Sequence, residues 1–204
     1  MITYEVSEKA EYFLFFSGQK ELENFRSRKD HVQFKELSSM DITLFTVKTK
    51  RTSFFWDYIL SMSFPKEFLN TQKAIELKEY LNKNGITYSI SKAYQADSHT
   101  EGKSFLLSMY NWKPNEPKSR FDSMMDHFDL EMKTDWFLKF GFYESIAHTS
   151  GLDFIFIGVT HDVDHLEEIF NDPLLETMRT SAERFLLDET RVTALLSAER
   201  MENI

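Results

Sequence analysis

The chain of 204 residues contains no cysteine. That excludes disulfides, thiolate metal sites and a cysteine nucleophile, and it agrees with a reducing compartment. An excess of positive charge is also missing: 24 Lys and Arg stand against 33 Asp and Glu, a formal balance of −9. A field of that sign repels phosphate backbones, so no nucleic acid partner is expected. The one basic cluster, Lys48-Thr49-Lys50-Arg51, reads as a solvated turn. No apolar run approaches the ~18 residues of a membrane span, and residues 1–11 lack the basic-then-apolar order of a signal peptide. The expected setting is cytoplasmic, with no membrane partner. Three chemistry-bearing motifs are absent too: the G-x-S-x-G elbow, the G-x-G-x-x-G fingerprint and a phosphate loop.

What the chain has in quantity is aromatic carbon. Hydrophobic residues make up 42%, aromatics 15%, and Phe alone occurs 20 times, which is ample for a core and argues against general disorder. These residues fall into a pattern that recurs. Asp41-Ile42-Thr43-Leu44-Phe45-Thr46-Val47 resembles Asp153-Phe154-Ile155-Phe156-Ile157-Gly158-Val159. In the first half, the periodicity predicts strands over residues 11–17, 32–37, 42–49 and 86–93. A short helix is expected over 19–29 and a long helical stretch over 52–84, broken near Ser63-Phe64-Pro65. Gly85 closes that stretch as a helix C-terminal residue. In the second half, strands are expected over 105–112, 142–149, 154–160 and 192–197. The stripe Phe121, Met124, Met125, Phe128 and Met132 marks one helix, and a second runs from Asp162. Each half reads β-α-β-β-α-β, giving units at residues 1–95 and 104–204 with a polar connector at 96–103.

That order is the split βαβ pattern of a ferredoxin-like unit. In residues 12–16, 42–47, 105–109 and 154–159 both alternating sets are apolar, whereas a sheet with one wet face shows polar residues at every second position. Both faces therefore ask for burial. The expected fold is α+β: a tandem duplication of the unit, with two antiparallel sheets facing each other as a barrel-like body and the helices outside. In this the chain resembles the dimeric α/β-barrel superfamily, in a fused form where one polypeptide supplies both halves. The resemblance implies relatives among cofactor-independent monooxygenases, heme-degrading enzymes and chlorite dismutase-like heme proteins.

A space between two sheets is the default ligand site. Tyr110, Asn111 and Trp112 end one strand there and are expected to bind substrate. His148, at the end of another, and His165 are the candidate catalytic groups, since an unperturbed imidazole exchanges protons near neutrality. His161 and His165 also have the i, i+4 spacing of metal ligands, with His148 as a third donor. Against this, Asp162 and Asp164 look like helix-capping residues, which makes the histidines turn residues. No metal is expected. His127, beside the Phe121–Met132 stripe, reads as a solvent-edge residue. The resemblance leaves room for a heme, but the heme-degrading relatives use an Asn, a Trp and a His. Asn111 and His165 lie on suitable elements, while the strand 154–160 has no Trp, so no cofactor is expected. The functional expectation is binding, with monooxygenase-like conversion, of a small, largely apolar or aromatic molecule. The alternative is a non-catalytic binding or interaction module with a Phe-filled core. Fusion of the halves removes the need for a homo-oligomer without forbidding one.

Overall fold

The computed structural model describes residues 8–27, 42–50, 56–96, 104–111, 136–177, 180 and 194–200. The strands are β1 (Lys9–Phe16), β2 (Ile42–Lys50), β3 (Tyr58–Pro65), β4 (Thr87–Ala96), β5 (Ser104–Tyr110), β6 (Lys139–His148), β7 (Phe154–Thr160) and β8 (Ala194–Arg200). They close into one barrel in the order β1-β3-β2-β8-β5-β7-β6-β4, every neighbouring pair antiparallel. Cut at its two long-range seams, β2–β8 and β4–β6, the ring separates into β4-β1-β3-β2 and β8-β5-β7-β6. Each half carries the fourth, first, third and second of its own strands in that order, as a split βαβ unit does. The two expected sheets are thus halves of a single closed barrel, and among the described strands closure leaves no edge unpaired.

Among the described residues three helices lie outside: α1 (Gln19–Ser27), α2 (Gln72–Lys83) and α3 (Val163–Asn171). Leu22 and Phe25 of α1 with Leu77 and Leu81 of α2 pack on Tyr12, Leu14, Phe16, Leu44, Leu60 and Met62. On the other half Leu166 and Ile169 of α3 pack with Leu106 and Trp136. This explains the doubly apolar strands. Even-numbered β1 residues meet the helices, and odd-numbered ones face the barrel interior. Gly158 has a packing reason of its own: the Phe137 ring lies within 3.0 Å of where a Cβ would stand.

Two sequence expectations change here. Residues 52–84 read as helical, but Tyr58–Pro65 is the strand β3, buried on both faces, and helix begins only at Gln72 after a 3-10 turn at Lys66–Asn70. Periodicity cannot separate a short, doubly buried strand from a buried helix, and Ile59-Leu60-Ser61-Met62 is such a run. The apparent repeat also pairs unlike elements. Its first copy lies in β2, the second strand of its unit, and its second copy lies in β7, the third strand of the other unit. Strands buried on both faces converge on similar apolar composition wherever they sit. The strand expected over 32–37, the stripe at 121–132 with His127, and the connector residues 97–103 lie outside the described residues.

Other local expectations match. Gly85 follows the α2 C-cap Asn84 with φ +64°, and Gly151 turns β6 into β7 with φ +76°. Both values lie in the left-handed region that glycine enters without steric cost. Asp162 caps α3, its carboxylate accepting the His165 backbone N–H at 2.8 Å.

Candidate functional site inside the barrel

Directly opposed residues of antiparallel strands share a face, so the register identifies which side chains point inward. Around β1 the inward set includes Glu11, Phe13 and Phe15. Opposite them on β3 stand Ser63, Ser61 and Ile59, and on β4 stand Ser91, Ser89 and Thr87. Ser91 is in turn opposite Ser145 on β6, and Ala93 is opposite Tyr143.

Two layers result. One is a buried cluster containing Phe13, Phe15, Phe45, Phe105, Tyr143, Leu107 and Ile157. Its rings touch edge to face, Phe13 with Tyr143 at 5.0 Å and Phe45 with Phe105 at 4.9 Å between centroids. Gly141 makes room for Tyr143, whose hydroxyl lies 2.4 Å from the place a Cβ would take. The second layer is polar and made of small side chains around one carboxylate. Glu11 is 3% exposed, and its two oxygens accept hydroxyl bonds from Ser61 and from Ser63, the latter at 2.5 Å. On the other flank Ser89 Oγ lies 3.1 Å from Ser91 Oγ and 2.6 Å from Ser145 Oγ. Glu11, Ser61, Ser89 and Ser91 are buried, whereas Ser63 and Ser145 are half-buried, so the layer reaches toward solvent. A buried carboxylate needs hydrogen-bond donors around it, and Ser61 and Ser63 provide two.

Glu11 was not among the residues singled out from sequence. The signal is present: Glu11 is in phase with Phe13 and Phe15, and Ser61-Met62-Ser63 and Ser89-Ile90-Ser91 repeat serine with the period of a strand.

The expected site residues fall in different places. Asn111 is buried and accepts the Asp153 backbone N–H through Oδ1 at 3.3 Å, tying the end of β5 to the start of β7. His148 stands at the same rim, opposite Ser89 in the register. Its Nδ1 accepts the Gly151 N–H at 3.1 Å, so in the neutral ring the proton is on Nε2, 3.9 Å from an Asp153 carboxylate oxygen. Asn111 and His148 are therefore brought together through Asp153. His165 is not with them. It sits on α3, past the far end of β7, and six residue steps of strand separate the two ends by roughly 20 Å. There it packs edge to face on His161 at 5.2 Å, with Nδ1 3.3 Å from Glu168 and Nε2 buried without a partner among the described residues. The distance along β7 dissolves the triad of His148, His161 and His165 as a metal site. Among the described residues no group of three or more His, Asp or Glu is placed to hold an ion. Tyr110 ends β5, and its side chain and all of Trp112 lie outside the described residues. Inside the barrel the rings of Phe13 and Tyr143, and of Phe45 and Phe105, are in contact with one another.

Among the described residues no helix is long and apolar enough to cross a membrane. No family model matches the chain, and no curated protein matches it in sequence. Solved structures do match it in shape. An anthrone oxidase-like protein superposes with a TM-score of 0.64 at 8% identity, over 98% of this chain and 94% of that one. A protein of Fusobacterium nucleatum provisionally named a monooxygenase gives 0.56 at 9% identity, over 98% and 94%. Another so named, from Lactobacillus acidophilus, gives 0.53 at 10%, over 95% and 94%. At such identities the likeness carries the fold and leaves the chemistry to the site. The chain has the fold of the dimeric α/β barrels, with both halves of the barrel supplied by one polypeptide.

Proposed function

We propose that the protein binds a small, largely aromatic molecule inside the barrel, between its two halves, and converts it oxidatively. The observation that carries this reading is the meeting of two inward layers: aromatic rings at Phe13 and Tyr143, and small hydroxylated side chains around Glu11. An eight-stranded barrel has an interior just wide enough to be filled by side chains or to hold one small ligand, and small inward residues favour the second. The solved structures of the same shape include an oxidase-like protein and provisional monooxygenases, and this supports an oxidative reading.

Anthrone is the probe that the first of those names supplies. Its conversion to a quinone turns a doubly benzylic methylene into a carbonyl. One oxygen atom of dioxygen enters the product and the other leaves as water. In this reading His148, at the rim beside Asp153, accepts the proton on Nδ1, exchanging the Gly151 N–H for it, and the electron pair released by deprotonation passes to dioxygen. Asn111 holds the rim strands in register. His165 stands outside the reading because β7 separates it from the rim. The fused units at residues 1–95 and 104–204 supply one half of the barrel each.

Native mass spectrometry of the purified protein with anthrone, paired with an oxygen electrode, tests this. One retained ligand per chain and dioxygen uptake that His148→Ala abolishes without loss of folding are the expected results. Absence of both contradicts the reading. A second reading, an interaction module with a filled core, draws on the ring contacts of the inward cluster. It predicts a bare chain mass and no uptake.

A further inference from the structure

We propose that Ser145 is the donor that receives the carbonyl oxygen of an aromatic ketone, with Ser89 and Ser91 behind it setting its direction. The inference rests on the reading of the interior as a ligand site, and it adds the substrate class and the residue that selects it. A β-bulge brings the group into place. On β4, Ser89 and Ser91 are two residues apart and share the inward face. Their partners on β6, His148 and Ser145, are three apart, because the register shifts between Ile90 and Ser91. In a regular strand residues three apart point to opposite faces. The extra residue of the bulge turns His148 and Ser145 to one face, both beside Ser89.

A count of protons gives the serine line its direction. Ser89, Ser91 and Ser145 carry three hydroxyl protons, and two contacts join them, Ser89 with Ser91 at 3.1 Å and Ser89 with Ser145 at 2.6 Å. Two protons serve those contacts and one is left over. Ser89 and Ser91 are both 0% exposed, so a spare proton on either has no acceptor among the described residues, which is unfavourable. Ser145 is half-buried and can meet a ligand. The favoured arrangement is therefore Ser91 donating to Ser89, Ser89 donating to Ser145, and Ser145 donating outward. Each bond polarises the next, which makes Ser145 a better donor than a lone serine. What meets it must accept, and a ketone oxygen does. That class also suits the chemistry at His148. When a C–H bond conjugated with the ketone breaks, the proton goes to His148. The electron pair moves onto the ketone oxygen as a carbon–carbon double bond forms. A hydroxyl already aimed at that oxygen stabilises the charge as it develops. A hydrocarbon edge in the same place leaves the Ser145 proton unpaired.

The test compares anthrone with dihydroanthracene, which has the same three rings and no carbonyl. Binding to the full-length protein is measured by equilibrium dialysis under argon, so that anthrone is bound and not consumed. A neutral hydrogen bond is worth about twofold to tenfold in affinity, and anthrone is expected to bind more tightly by that factor. In Ser145→Ala the ratio should fall to about one or below, with the hydrocarbon's own affinity unchanged. Ser145→Thr keeps the hydroxyl and should restore the preference. Should Ser145→Ala fail to fold, Ser89→Ala is the second variant: it removes the hydroxyl that orients Ser145 and is expected to narrow the ratio. Equal binding of both probes to the wild-type protein, or a ratio that survives Ser145→Ala, overturns the carbonyl site and leaves the interior ligand site standing. Binding of neither overturns both.

Discussion

Substituting Gly141 by alanine tests the packing beside the site with a change of one methyl group. Gly141 faces the barrel interior on β6 and does not have a positive φ, so alanine is acceptable to its backbone. On that ground alone Gly→Ala stabilises by about 0.4–1 kcal/mol, because the unfolded chain has fewer conformations to lose. The new Cβ would stand 2.4 Å from the Tyr143 hydroxyl and 2.7 Å from two ring carbons. The ring cannot swing into solvent, since Tyr143 is 1% exposed and edge-on to Phe13. Overpacking of this kind costs about 1–3 kcal/mol. The net effect is a loss of about 1–2 kcal/mol, which at roughly 2–4 °C per kcal/mol for a chain of this size lowers Tm by about 2–8 °C. The assay is a thermal melt by circular dichroism, repeated in a Tyr143→Leu background. There the penalty should disappear and leave the gain of about 0.4–1 kcal/mol expected of the backbone alone, as coupling between touching side chains requires. An unchanged or raised Tm for Gly141→Ala, or an equal penalty in both backgrounds, would refute the placement of Tyr143 over Gly141.

Three further outcomes follow from the same structure. Tyr12, packed under the helices, has its phenol pushed up to about 12, first by burial and second by Tyr88. The folded state then holds its proton more tightly than the unfolded state does. The stability this contributes is complete below about pH 10 and is lost as pH rises toward 12, so melts from pH 8 to 12 should show an alkaline decline that Tyr12→Phe flattens. Asp162→Ala removes the α3 cap to the His165 N–H and is expected to cost about 1 kcal/mol by urea titration. Glu11→Leu leaves the Ser61 and Ser63 hydroxyls without their acceptor. It should destabilise by about 1–3 kcal/mol, and a triple change with Ser61→Ala and Ser63→Ala should recover part of that in the same titration.

The fold was legible in the sequence where an element announces itself by burial on both sides. Residues 12–16, 105–109 and 154–159 could only be strands between two apolar layers, and that alone implied a barrel with helices outside. Tyr58–Pro65 was not legible as a strand, because its alternating signal is confined to Ser61 and Ser63 within a short apolar run, too brief to separate strand from helix. The pairing of β2 with β7 as a repeat failed for the same reason, since burial erases the differences that would mark strand position. In the site, His148 and Asn111 were found as polar residues at strand ends, and the structure joins them through Asp153. His165 was grouped with them by chemistry, while the length of β7 keeps it away. Glu11 was hidden by its neighbours. A single acidic residue before Tyr12-Phe13-Leu14-Phe15-Phe16 looks like the solvated start of a strand, and only the register with Ser63 and Ser91 turns it inward.

The central proposal is that an aromatic ligand binds inside the barrel beside the rings of Phe13 and Tyr143. A filtered nuclear Overhauser experiment on the protein saturated with unlabelled anthrone measures this directly. The expected result is a set of ligand contacts to the Phe13 and Tyr143 ring protons and to the Ser61 and Ser89 β-protons. Contacts confined to exposed side chains such as Ile75, Leu138 or Leu174, or no contacts at all, would contradict it.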